Sequence, residues 1–173
     1  GQITLKSAPG QGSAFTVDLD LPMQEGGLPV APVVEAVTLD ETSFAGRRFL
    51  LAEDNAINQE IAVELLTAYG AKVETRNDGK QALLAFEASA EGYYDAVLMD
   101  IQMPVMNGYE AARRIRTCGH PQAQSIPIIA MTANVFTEDV LAARNAGMDG
   151  HIAKPIDLTK LYQVLKEKID AAD

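Results

Sequence analysis

The stretch Ala96-Val97-Leu98-Met99-Asp100 runs through four apolar residues without a break and stops on a carboxylate. A strand with one wet face alternates apolar and polar residues, whereas a continuous run marks a strand buried on both faces of a parallel sheet. Three other stretches end in the same way. Phe49-Leu50-Leu51-Ala52 leads into Glu53-Asp54, Ile126-Pro127-Ile128-Ile129-Ala130-Met131 leads into Thr132, and Gly150-His151-Ile152-Ala153 leads into Lys154-Pro155. In an open α/β sheet the binding crevice lies at the carboxyl ends of the strands. Three carboxylates, a hydroxyl and an ammonium are therefore expected at one place, a set suited to a divalent cation and a phosphoryl group.

Working outward from these runs, strands alternate with helices. Strands are expected at 48–53, 72–76, 95–99, 126–131 and 150–153, and helices at 57–69, 79–89, 108–116, 137–145 and 157–169. Helical spacing puts Ile61, Leu65 and Leu66 on the inner face of the first helix, Leu83 and Phe86 on that of the second, and Leu158, Leu161, Leu165 and Ile169 on that of the last. Gly70 and Gly147 are stop signals, and Thr137 is cap-like. Five β-α units at this spacing give a parallel sheet covered on both faces.

The first 46 residues read differently. Residues 1–22 form a hairpin pattern: Ile3 and Leu5 alternate with Thr4 and Lys6, and Phe15, Val17, Leu19 and Leu21 share a face across a Pro9-Gly10-Gln11-Gly12 turn. Residues 23–46 have no period and are rich in Pro, Gly, Ala and Val, which reads as a linker. The C-terminal domain is then 47–173. Gly1 opens on a strand-like pattern with no initiator Met, so the chain is expected to be a piece of something longer.

Bulk properties exclude several classes. The 173 residues carry a net charge of −10, half of it within the first 46, which opposes nucleic-acid binding. The single cysteine, Cys118, allows no internal disulfide and fits a reducing compartment. No apolar run approaches the roughly 20 residues of a membrane helix. His120, in a polar connection, is expected at the surface, and Arg113, Arg114 and Arg116 as a solvated helix face. Met23, Met99, Met103, Met106, Met131 and Met148 read as packing residues.

Glu53-Asp54-Asn55, Met99-Asp100-Ile101-Gln102-Met103-Pro104-Val105-Met106-Asn107-Gly108, Met131-Thr132-Ala133-Asn134 and Lys154-Pro155, in this order and at strand ends, resemble a response-regulator receiver domain over about 47–170. The run Glu53-Asp54-Asn55-Ala56-Ile57-Asn58-Gln59 is similar to receivers fused to hybrid histidine kinases. The hairpin, from Gly1-Gln2-Ile3 through Gly10-Gln11-Gly12-Ser13 to Leu21-Pro22, resembles the end of a histidine-kinase ATPase domain. The resemblance implies a flavodoxin-like, doubly wound α/β fold with five strands in the order 2-1-3-4-5.

It also implies roles. Asp100 would be the phosphoacceptor, Lys154 would neutralise phosphoryl oxygens and Thr132 would donate a hydrogen bond to one. Asp54, Asp100 and the Gln102 backbone carbonyl would hold Mg²⁺, or Mn²⁺ in its place, with Glu53 acting through water. Pro155 would follow a cis peptide bond. The implied partner is a histidine phosphotransfer domain or the phosphohistidine of the parent kinase, docking beside Ile57 and Ala62, with a homodimer left open. The implied setting is cytoplasmic, with any membrane anchor in the parent. Where receivers carry an aromatic switch residue coupled to the threonine, this chain has His151, which leaves that coupling open. Three carboxylates without a metal should raise one another's pKa values.

Each residue also has an ordinary reading taken alone: Asp54 as a helix cap, Asp100 as a turn residue, Thr132 as a strand residue, Lys154 as a surface lysine. Two other functions compete. A Mg²⁺-dependent aspartyl-phosphate phosphatase would also use a strand-end Asp, but such enzymes place a second Asp two residues on, where this chain has Gln102. A non-phosphorylated interaction domain of the same fold would not need the complete polar set.

Overall fold

The computed structural model describes residues 1–8, 10, 12–18, 42–133 and 137–169. The chain divides into two units, Gly1–Ala36 and Val37–Asp173. In the first, β1 (Gln2–Ala8) pairs antiparallel with β2 (Gly12–Asp18), Ile3 opposite Val17 and Leu5 opposite Phe15. Positive φ values at Gly10 and Gly12 make the turn, and Ser7 and Ser13 hydroxyls meet across it at 2.7 Å. All four of those apolar side chains are more than half exposed. Leu19 and Leu21, expected on the same face, lie outside the described residues, as does most of the expected linker.

The second unit holds β3 (Arg48–Ala52), α1 (Ala56–Ala68), β4 (Lys72–Arg76), α2 (Gly79–Glu87), β5 (Ala96–Asp100), α3 (Gly108–Thr117), β6 (Ile128–Thr132), α4 (Thr137–Asn145), β7 (Gly150–Ala153) and α5 (Leu158–Ile169). The five strands pair in parallel in the order β4-β3-β5-β6-β7, which is the expected 2-1-3-4-5. Alternate residues of each strand feed two cores. Leu50, Ala52, Val97, Met99, Ile128 and Ala130 meet α2 and α3 on one face. Phe49, Leu51, Leu98, Ile129, Met131 and Ile152 meet α1 and α5 on the other. Both faces are dry, hence the unbroken apolar runs.

Helix starts follow the expected chemistry with one reassignment. Asn55 caps α1, its Oδ1 accepting from the Ile57 and Asn58 N–H groups at 2.9 and 3.2 Å, so Asp54 is not the cap. Asp78 and Asn107 cap α2 and α3. Gly70 and Gly147 close α1 and α4 at positive φ. The side chains of Thr137 and Ile169 lie outside the described residues.

Some expectations are corrected. On α1 it is Ala62 and Leu66 that face the core, while Ile61 is 47% exposed and Ile57 67%. Each pair is spaced i, i+4, so the helix turns the Ile57–Ile61 stripe outward as a block. The strand expected at 126–131 begins at Ile128. Pro127 has no N–H to donate, although its carbonyl accepts the Val97 N–H at 2.8 Å, and the Ile126 N–H is spent on the Gln122 carbonyl, so the full ladder starts one residue later. β5 starts at Ala96; just before it the Asp95 N–H donates to the Arg48 carbonyl at 2.8 Å, and its carboxylate accepts from the Arg47 guanidinium at 2.8 Å and the Arg48 N–H at 2.7 Å.

His120 is buried, not exposed: its ring lies 4.3 Å from that of Phe86, and its Nδ1 accepts the Gln122 N–H at 3.2 Å. Sealing the end of α2 outweighs the polar neighbourhood. Arg113 and Arg114 are exposed as expected, but Arg116 turns inward and donates to the carbonyls of Gly147, Ala123 and Ile126 and to the Asp149 carboxylate. Those carbonyls belong to irregular backbone, and no helix or strand would satisfy them. Met99, Met103, Met106, Met131 and Met148 are buried as expected; Met23 lies outside the described residues.

Phe44, within the stretch read as linker, is 2% exposed and packs edge-on against Phe49 and Tyr162, with ring centroids 5.5 and 5.4 Å away. Truncating it leaves a cavity under α5. Phe44→Ala should cost about 3–5 kcal/mol in urea unfolding, whereas Arg113→Ala should stay within about 0.5 kcal/mol.

Candidate functional site

The strand registers bring the polar ends level: Ala52 stands opposite Met99, Asp100 opposite Met131, and Thr132 opposite Ala153. Each strand ends at the same edge, so Glu53, Asp54, Asp100, Thr132 and Lys154 line one cleft of about 300 Å³. Glu53, Asp100 and Thr132 are buried, while Asp54 is exposed. One carboxylate oxygen from each of Glu53, Asp54 and Asp100 lies within 4.8 Å of the others, a spacing that could hold a divalent cation. A larger hollow of about 690 Å³ opens between α4 and α5 at the start of β7, lined by Arg116, Arg144 and Lys168 among others. It lacks a carboxylate cluster, so chemistry rather than size singles out the cleft.

Lys154 organises the cleft. Its backbone N–H donates to the Thr132 carbonyl at 2.8 Å, just past the β6–β7 ladder. Its ammonium lies 2.7 Å from Asp100 Oδ2 and 2.5 Å from Glu53 Oε2. The peptide bond to Pro155 is cis, as expected. The other Glu53 oxygen accepts from the Asn58 amide at 3.0 Å. Asp100 Oδ1 accepts the Gln102 N–H at 3.3 Å. Gly108 donates to the Ile101 carbonyl, and a Cβ there would overlap the Asp100 carbonyl oxygen, so the start of α3 presses on the strand end.

The charges are not symmetric. Burial pushes the Asp100 carboxyl above its ordinary value; the Lys154 ammonium opposes this and the Glu53 carboxylate reinforces it. Burial also acts to lower Lys154, but hydrogen bonds to Asp100 and Glu53 outweigh it and raise the lysine overall. One ammonium faces two carboxylates, so its charge is secure while Asp100 shares a single cation.

All the expected cleft residues are brought together, Gln102 included, but His151 is not. It stands opposite Ala130 in β7 and lines the larger hollow on the α4 side, because its neighbour Ile152 takes the α1–α5 core. Asn58 and Asp139 line the cleft without having been singled out. Asn58 belongs to the quoted run 53–59, but its reach back to Glu53 follows from the turn that starts α1.

A family model described as "Response regulator receiver domain" matches residues 49–166, and the chain belongs to this family. The aerobic respiration control sensor protein ArcB of Escherichia coli is 34% identical over 173 residues, all of this chain and 21% of that protein. The chain thus spans about a fifth of that relative. Among solved structures, the receiver domain of the Pseudomonas aeruginosa sensor histidine kinase PA1611, with a magnesium ion coordinated in its active-site cleft, is 38% identical, with a TM-score of 0.64 over 73% of this chain and 99% of that one. A co-crystal structure of the Saccharomyces cerevisiae histidine phosphotransfer signalling protein Ypd1 with the receiver domain of Ssk1 matches at 28% identity and a TM-score of 0.61, covering 72% and 89%. The fold is that of a phosphorelay phosphoacceptor. No helix among the described residues is long and apolar enough to cross a membrane.

The raised Asp100 carboxyl has a stability consequence. A group whose folded pKa lies above its unfolded value stabilises the fold most when protonated, and that contribution is lost as pH rises from the usual aspartate range through the raised value. Without metal, Asp100→Asn should therefore gain stability relative to the wild type as pH rises through that window, as read from urea midpoints at pH 3 and pH 7. An unchanged difference would contradict the assignment.

Proposed function

We propose that Asp100 is the phosphoacceptor of a phosphorelay, taking a phosphoryl group from a phosphohistidine on a separate phosphotransfer protein or on the parent kinase. The observation that carries this reading is the buried Asp100 carboxylate held 2.7 Å from the Lys154 ammonium, with Glu53 and Asp54 beside it. A carboxylate oxygen attacks phosphorus as the P–N bond breaks; the ring nitrogen keeps the bonding pair and, with its other nitrogen protonated, leaves as neutral imidazole. Such a transfer needs positioning and charge neutralisation more than covalent help. Lys154 is placed to follow the charge from carboxylate to phosphoryl oxygen, and Thr132 offers a hydroxyl at the same edge.

The residues fit Mg²⁺, with Mn²⁺ as a substitute: three carboxylates and one ammonium leave net negative charge in a partly buried cleft. Asp54, Asp100 and the Gln102 carbonyl would hold the ion directly, and Glu53, already engaged by Asn58 and Lys154, would act through water. When bound, the ion supplies charge neutralisation for the transferring oxygens.

The phosphodonor would dock over α1, where Ile57 and Ile61 are exposed beside a small apolar hollow lined by Met131, Pro155 and Ile156; Ala62, expected beside Ile57 in that surface, is buried against the sheet. Ile57 sits between Asn55 and Asn58, which both line the cleft. The hairpin resembles the end of a kinase ATPase domain, and this resemblance supports reading the chain as part of a hybrid sensor kinase.

Incubation with acetyl phosphate and Mg²⁺ should give a single phosphoryl adduct by mass spectrometry, absent in Asp100→Asn. Persistence of the adduct in that variant would overturn the assignment. Ile57→Asp should slow transfer from a phosphohistidine protein by roughly tenfold or more, the loss expected for one buried apolar contact, yet leave labelling by acetyl phosphate intact. Equal loss with both donors would mean damage to the cleft itself.

A further inference from the structure

Glu53 is buried, and its backbone and side chain are held from several elements. Its N–H donates to the Arg76 carbonyl at 3.0 Å, and its own carbonyl accepts the Gln59 amide at 2.5 Å. Gln59 reaches on to Asn77 Oδ1 at 2.7 Å, so the end of β3 is tied to the end of β4. With the backbone fixed, only rotation of the side chain could move the carboxylate. Groups on both sides oppose that rotation. Oε2 faces the Lys154 ammonium at 2.5 Å, and Oε1 accepts from the Asn58 amide at 3.0 Å and, more weakly, from the Asn55 N–H at 3.4 Å. An ionised carboxylate only accepts, so the Asn58 nitrogen, not its oxygen, faces Oε1. Asn58 is itself held in the first turn of α1, where its N–H donates to the Asn55 cap at 3.2 Å.

The clamp bears on the choice of ion. An oxygen of Glu53 lies within 4.8 Å of oxygens of Asp54 and Asp100, near enough for all three carboxylates to surround one cation. Both Glu53 oxygens are already engaged, however. An ion entering the cleft meets few free protein oxygens and has to keep water in its shell. Mg²⁺ tolerates this, since it gives up water reluctantly and is usually held by one or two carboxylates. Ca²⁺ is larger, takes more oxygen ligands and favours flexible sites with carboxylates that can bind through both oxygens. A rigidly held Glu53 therefore suits Mg²⁺, and a free one would suit Ca²⁺.

We propose that Asn58 is a positioning residue that sets the cation preference of the cleft. By holding Glu53 Oε1 it keeps that carboxylate from binding the ion directly, and so disfavours Ca²⁺ relative to Mg²⁺. The inference rests on the divalent-cation reading of the cleft and is independent of whether Asp100 accepts a phosphoryl group.

Asn58→Ala removes the clamp without altering a group that would hold the ion. Titrations of the whole chain with MgCl₂ and, separately, with CaCl₂, followed by NMR at the Asp100 and Gln102 backbone amides, give a Kd for each ion. Asn58→Ala should bind Ca²⁺ about tenfold more tightly than the wild type, the scale of one hydrogen bond to a charged group, while its Kd for Mg²⁺ stays within about twofold. In a Glu53→Gln background the same substitution should leave the ratio of the two Kd values unchanged, because the released group no longer carries a charge. An unchanged ratio in Asn58→Ala overturns the proposal, as does an equal shift for both ions or a shift that persists in the Glu53→Gln background. Absence of any Mg²⁺-dependent shift in the wild type overturns the cation reading of the cleft, and the proposal with it.

Discussion

The Lys154 ammonium, seated between Asp100 and Glu53, is the interaction on which the cleft depends. Two nearly buried carboxylates cannot stand side by side without a cation, because each disfavours the charge of the other. Lys154 supplies that cation from the far edge of the sheet. The arrangement leaves Asp100 ionisable yet under-neutralised, a state that favours the arrival of further positive charge or a phosphoryl group with its counterion. Removing the lysine would leave two buried anions facing each other, a heavier loss than an exposed ion pair could cause.

The rest of the fold serves to keep these groups level. A slip of one strand by one residue would move each of its side chains into the core on the other face, and both cores are close-packed around the side chains they hold. That rigidity fixes the relative heights of β3, β5, β6 and β7. The connections at the opposite edge are tied by side chains instead of ladders: Asp95 holds the starts of β3 and β5 together, and Arg116 satisfies three loop carbonyls. Neither touches the cleft.

Around the cleft mouth the surface is less economical with apolar groups. Ile57, Ile61 and Val105 stay in water although the core below is complete. Single exposed aliphatics are ordinary on proteins. Ile57 and Ile61, on one face of α1 beside the cleft, suit the docking surface proposed for the phosphodonor.

The sequence by itself determined the β-α alternation, the five-stranded parallel sheet and the four strand-end polar sites. These are local signals: runs without alternation, glycine stops, and carboxylates or lysine placed just after a run. It also indicated the hairpin at Gln2–Asp18. The tertiary structure decided what depends on distant partners. His120 reads as polar and exposed until Phe86 covers it, and Arg116 reads as one of three solvated arginines until the loop before β6 brings carbonyls to it. Ile61 and Ala62 are adjacent in sequence, and only the angle at which α1 meets the sheet sends one out and the other in. Asn55 rather than Asp54 caps α1, which frees Asp54 for the cleft. His151 stands three residues before Lys154 but faces away from the cleft, since successive residues of a strand point to opposite sides. Spacing along a chain names the residues that reach a strand end, whereas the side to which each one turns is settled by what packs against it.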